Sequence, residues 1–147
     1  MNCHLFKEVK NRLPLNLPLL NKILKSAIKE LKHKSNFELT VLIVGDKKIK
    51  NLNKKFRGKD KVTDVLSFSQ SEGRGFILPR EGKKYLGEIV ICWPQTKRQA
   101  KKFGQSEKKE LALLIIHGFL HLLGYDDKTI AGWRQMEALQ KRILPKI

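Results

Sequence analysis

Residues 116–128 read IHGFLHLLGYDDK: His117 and His121 stand four residues apart in an apolar run, Gly124 closes the run, and Asp126 and Asp127 follow at once. Four residues is just over one helical turn, so both imidazoles leave a helix on the same side. A glycine past a helix end takes up the left-handed conformation that turns a chain sharply. Such a turn can fold Tyr125-Asp126-Asp127 back over the last helical turn. Two nitrogens and a carboxylate oxygen would then converge with one position left open, the donor set of a catalytic zinc site rather than a closed structural one. A histidine pair at this spacing also occurs without a metal, each ring satisfied by a backbone carbonyl. The surroundings favour the metal. From Leu111 to Leu123 the two histidines are the only polar side chains, so the helix is apolar nearly all round and must be mostly buried. Buried imidazoles each need a partner, and one shared cation satisfies both.

Around this helix the chain alternates between two periodicities. Asn2 to Glu8 is a short candidate strand. A helix begins near Pro14 and Pro18 and runs to about His33, with Leu20, Ile23, Leu24, Ala27, Ile28 and Leu31 as one apolar stripe. His33 reads as a solvated residue at that helix end. Phe37 to Val44 is the clearest strand. Asp46 is placed to cap the next helix, which turns Ile49, Leu52 and Phe56 inward and its lysines outward. Arg57 to Lys61 is a basic turn, Val62 to Phe68 an edge or short strand, and Gln70 to Lys84 a loop rich in Gly, Ser and charge. Tyr85 to Cys92 is a strand in which Gly87 marks a bulge or a close approach. Trp93-Pro94 opens a basic helix that ends at Gly104. Ser106 caps the central helix and Thr129 the last one, which is expected to bury Ile130, Trp133, Met136, Leu139 and Ile143. The pattern predicts a single α+β domain over 1–147, a mixed sheet of about four strands packed against several helices, with the metal motif on a central buried helix.

A chain of 147 residues suits one domain with one core. No segment has the length and purity of a membrane span. The opening MNCHLFKEVK lacks the apolar stretch and cleavage site of a signal peptide. Cys3 and Cys92 form no CxxC and no zinc-finger spacing. A cytoplasmic protein with free thiols, no disulfide partner and no membrane partner is expected. The net charge is +17, from 31 basic and 14 acidic residues. Heat adaptation raises Glu along with Lys, so ion-pair networks do not account for this excess. It predicts attraction to a polyanion, nucleic acid first. An anionic membrane surface is the competitor, but no helix opposes a bulky apolar face to a lysine face.

The motif HGFLHLLGYDD resembles the HGxLHLxGYDH signature of the YbeY family of bacterial rRNA-maturation endoribonucleases. The likeness extends to NKKFRGKDKVTDVLSF at Asn53 to Phe68, to LGEIVI at Leu86 to Ile91, and to Met136-Glu137. The resemblance implies a metal-dependent hydrolase that prefers single-stranded RNA, acts in processing of small-subunit rRNA and in ribosome quality control, and has rRNA and the small ribosomal subunit as partners. It implies one Zn2+ per chain, held by His117, His121 and position 127. The chain departs from the family pattern there, with Asp127 where the family has a third His. Aspartate binds zinc through oxygen, and its charge makes the metal a weaker acid. Asp126, which matches the family's own Asp, is the alternative ligand. The harder oxygen donor tilts the site toward Mn or Fe, with zinc still the first expectation.

The resemblance also makes Arg57 a residue needed for activity. By itself Arg57 reads as one more surface base. A guanidinium does grip phosphate by two parallel hydrogen bonds and stays charged at any working pH. Lys55, Lys59 and Lys61 beside it are candidate RNA contacts, within basic surface spanning Lys47 to Lys61 and Lys97 to Lys109. The nucleophile, water or the RNA's own 2′-OH, stays open. Two rival functions fit parts of the same pattern. One is a non-catalytic rRNA-binding factor that uses a metal for stability. The other is a zinc protease of the HExxH type, which needs a Glu after the first His, where this chain has Gly118.

Overall fold

The structure, a computed structural model, describes residues 1–34, 36–70 and 84–146. Four strands, β1 (Asn2–Lys7), β2 (Phe37–Val44), β3 (Val65–Ser69) and β4 (Lys84–Cys92), form one sheet in the order β1-β2-β4-β3. β1, β2 and β4 run parallel and β3 lies antiparallel on the edge beside β4. The helices are α1 (Leu17–Leu31), α2 (Asp46–Arg57), α3 (Trp93–Lys102), α4 (Glu107–Leu122) and α5 (Ile130–Ile143), followed by a 3₁₀ turn at Leu144–Lys146. The fold is a single α+β domain with a mixed four-stranded sheet, as the sequence predicts.

Side-chain alternation on β2 fixes which face meets which helices. Phe37, Leu39, Val41 and Ile43 point to one side, where with Ile89 and Ile91 they meet Leu111, Ile115, Phe119 and Leu120 of α4. The rings of Phe37 and Phe119 stand 5.5 Å apart. Each fully buried Leu, Ile or Phe contributes about 1.5–3 kcal/mol relative to exposure. Stacking so many on one helix keeps α4 in the middle, flanked by α1 and α5 in the same core. The other face of the sheet turns Val44, Phe68, Val90 and Cys92 to Ile49 of α2 in a smaller core. A register shift between β2 and β4 falls where Tyr85 pairs Glu38 and Gly87 pairs Leu39, the irregularity expected at Gly87. A Cβ at that glycine would collide with the Phe68 carbonyl on β3.

The ends of the helices follow local chemistry. Ser106 Oγ accepts from Lys109 N at 3.1 Å and Thr129 Oγ1 from Gly132 N at 3.0 Å, both as expected. Asp46 does not cap α2. Gly45 is the cap residue, and the Asp46 carboxylate instead takes two hydrogen bonds from Arg98, at 2.7 and 3.2 Å. α1 stops at Leu31 because Lys32 adopts the left-handed conformation, two residues before His33. On α5 Met136, Leu139 and Ile143 are buried, but Ile130 is 72% and Trp133 52% exposed, against expectation. The first turn of α5 rests Gly132 on the carbonyl of Asp126, and only from Met136 onward does the helix enter the core. The loop expected from Gln70 to Lys84 falls on 71–83, outside the described residues. Among the described residues no helix is long and apolar enough to cross a membrane.

Candidate metal centre

The last two turns of α4 carry His117 and His121, each half-buried, on the side of the helix that opens into a cleft. The helix ends at Leu122, with Leu123 as its cap residue. Gly124 then takes φ +102, a conformation that L side chains rarely adopt, and reverses the chain. Tyr125 N returns to the Leu120 carbonyl at 3.1 Å, which brings residues 126 and 127 alongside the imidazoles. His121 Nε2 lies 3.0 Å from His117 Nε2, and Asp127 Oδ2 lies 3.7 and 3.8 Å from those two nitrogens. Among the described residues these three are the one group of metal-ligating side chains whose donor atoms cluster, all within 4.8 Å. The Asp126 carboxylate turns away and accepts from Lys128 N at 3.0 Å.

The donor set fits a divalent cation. A point about 2 Å from all three atoms exists at the centre of their triangle, the length of a zinc–nitrogen or zinc–oxygen bond. The proton arrangement agrees with the distances. His117 Nδ1 sits 2.7 Å from Gln140 Oε1 on α5. A carboxamide oxygen only accepts, so Nδ1 carries the proton and a neutral His117 turns a lone pair at Nε2 toward His121. Burial, and then His117, hold His121 below its ordinary pKa, while Asp127 and a backbone hydrogen bond at Tyr125 oppose them. The environment therefore favours a neutral, ligating imidazole.

The cleft holding this cluster has a volume of about 1190 Å³, and Arg57, Lys59, Lys61, Lys84 and Lys128 also line it. Arg57 is the last residue of α2. It donates to the Ser67 carbonyl at 2.6 Å, and its guanidinium carbon stands 5.2 Å from the centre of the Phe68 ring. The backbone bond and the ring locate Arg57 at the cleft wall. Ser67 also bonds the Gly118 carbonyl through Oγ at 3.2 Å, tying the wall to α4. Lys55 does not line the cleft; its ammonium lies 5.2 Å from the Phe56 ring. Position 118 points into the sheet, where a Cβ would stand 2.6 Å from Ile89 Cγ2 and 3.2 Å from Ser67 Oγ. The general base of an HExxH protease is absent from this chain and has no room there.

Two participants escape a reading of the sequence. Ser67 lies within the segment NKKFRGKDKVTDVLSF but carries no mark of its own. Gln140 follows Leu139 and comes four residues after Met136, so it is a polar residue on the edge of the buried stripe of α5. That position is its only signal.

Residues 8–147 match the sequence profile of the family described as Endoribonuclease YbeY. Proteins named Endoribonuclease YbeY from Moorella thermoacetica and Staphylococcus carnosus are 45% identical over 132 residues and 42% over 125. The first match covers 87% of this chain and 84% of the relative, the second 85% and 82%. The solution structure of TM1509 from Thermotoga maritima superposes with a TM-score of 0.63 at 29% identity, covering 98% of this chain and 87% of that one. With the motif, the fold and a match over nearly the whole length in agreement, the chain belongs to the YbeY family of endoribonucleases.

Proposed function

We propose that this endoribonuclease is metal-dependent, that His117, His121 and Asp127 hold one divalent cation, zinc first, and that Arg57 grips the phosphate to be cut. The observation that carries the reading is the convergence of two imidazole nitrogens and one carboxylate oxygen inside a cleft walled by bases. Charge +17 and the basic wall support a polyanionic substrate. The resemblance to rRNA-maturation enzymes supports single-stranded rRNA of the small ribosomal subunit, in the cytoplasm, as that substrate.

Each side chain has a task that follows from its place. Lys59, Lys61, Lys84 and Lys128 draw the RNA backbone into the cleft. Arg57, held by the Ser67 carbonyl and the Phe68 ring, brings a permanent positive charge to the cleft wall and stabilises the charge that grows on the phosphate oxygens in the transition state. Both histidines stay neutral to ligate, and Asp127 offsets part of the cation's charge. A divalent cation bound here supplies Lewis acidity at the phosphate and an acidified water.

Elemental analysis of untreated protein should find about one zinc per chain, and His121→Ala should abolish it. Cleavage of a structured RNA with single-stranded segments should stop on chelation and return when metal is restored. Arg57→Ala should lower cleavage by at least about a hundredfold, the scale seen when one charge-stabilising donor is removed, with an unchanged melting curve. RNA binding without cleavage, together with unfolding on chelation, would instead support the non-catalytic rRNA-binding factor.

A further inference from the structure

We propose that Gln140 is the positioning residue that makes His117 a metal ligand, by locking its ring in the tautomer that keeps Nε2 free. The proposal rests on the reading of the cleft as a metal centre. In water a neutral imidazole favours the proton on Nε2, which would close that nitrogen to a cation. The Gln140 carboxamide oxygen, 2.7 Å from His117 Nδ1, reverses the preference by accepting from Nδ1. Protonation at Nδ1 leaves the lone pair on Nε2, and that nitrogen is the one turned toward His121 Nε2 and Asp127 Oδ2, at 3.0 and 3.8 Å.

The oxygen is well held. Gln140 is half-buried on α5, beside Leu139 and one turn past Met136, both of which are in the main core. α5 therefore cannot rotate to withdraw the amide without exposing that core. The contact joins residues 23 apart in sequence, so α5 orients a ligand that α4 supplies. An amide acceptor also orients His117 without adding charge. Asp127 already brings one carboxylate, and a neutral second partner leaves the cation more electron-poor than a carboxylate at position 140 would.

The test measures Zn2+ affinity of the purified protein by competition with a chromophoric chelator, for wild type, Gln140→Leu, Gln140→Met and Gln140→Glu. Long-range 15N–1H spectra of the metal-free proteins report the His117 tautomer. Leu and Met remove the acceptor, Met with a flexible side chain should Leu disturb packing, and each is expected to weaken Zn2+ binding about 10- to 100-fold and to move the His117 proton toward Nε2. Glu restores the acceptor and should bring affinity back to the wild-type level or beyond, with the proton again on Nδ1. A generic packing defect would not be rescued in this way. Wild-type binding that Leu and Met leave unchanged, with the proton still on Nδ1, overturns the role of Gln140 alone. Failure of the wild type itself to bind Zn2+ overturns the metal-centre reading and this proposal with it.

Discussion

Two ring nitrogens can face each other at 3.0 Å only if one of them donates a proton or a cation stands between them. In the metal-free protein the surroundings of His121 disfavour its charged form. Burial, the larger cause, and the neighbouring His117 place its pKa below the usual 6.5. The folded state therefore binds fewer protons at this position than the unfolded chain does. Its contribution to stability is complete above pH 6.5 and is lost as pH falls through the folded value. The melting temperature of metal-free protein should accordingly drop on acidification from pH 7 to 5, and His121→Asn should flatten that drop. An equal pH dependence in the variant would assign the effect to other groups. Metal affinity should fall across the same window, because the ligands must shed their protons to bind. Position 118 is decided by space instead. Ile89 is fully buried and cannot yield to a Cβ 2.6 Å away, so Gly118→Ala should cost about 1–3 kcal/mol in denaturant unfolding.

At the level of elements, the cluster is a product of two helix ends and the turn between them. Gly124 reverses the chain, and α5 then clamps the returning loop by seating Gly132 on the Asp126 carbonyl. A Cβ at Gly132 must push that carbonyl away and move Asp127 with it. Gly132→Ala should therefore weaken Zn2+ binding by tenfold or more while leaving the α4 core in place, readable as reduced affinity with a native far-UV spectrum. Most of this architecture was legible in the sequence, because its causes are local. Ser106 and Thr129 are cap residues wherever they precede a helix, and a run with two polar side chains between Leu111 and Leu123 has nowhere to go but the core. What escaped depends on distant partners. Asp46 has the chemistry of a cap, but Arg98, 52 residues on, holds its carboxylate. Gln140 looks like any surface glutamine until α5 is laid against α4. Ile130 and Trp133 have helical spacing with the buried residues, yet spacing does not say how far along a helix its core begins.

For the molecule as a whole, the charge has to be separated into what acts at the site and what acts at a distance. The excess of 31 bases over 14 acids raises the potential everywhere and so favours encounter with any polyanion. Among the described residues five bases line the cleft itself: Arg57, Lys59, Lys61, Lys84 and Lys128. If each neutralises one phosphate of a single strand, log affinity should fall against log salt with a slope of roughly −3.5 from these contacts, and roughly −2.8 once Arg57 is replaced by Ala. Lys59→Gln with Lys61→Gln should make that slope shallower by about 1.4, whereas two neutralised lysines on α3, Lys97 and Lys101, should leave it nearly as it was. Fluorescence anisotropy of a labelled single-stranded RNA across a potassium chloride series, with the metal present and Arg57→Ala to prevent turnover, measures all three proteins. Equal slopes for the two double variants would mean that the RNA reads the global charge and not the cleft. A difference confined to the cleft variant would mean that the bases around His117, His121 and Asp127 hold the strand where the cation can reach it.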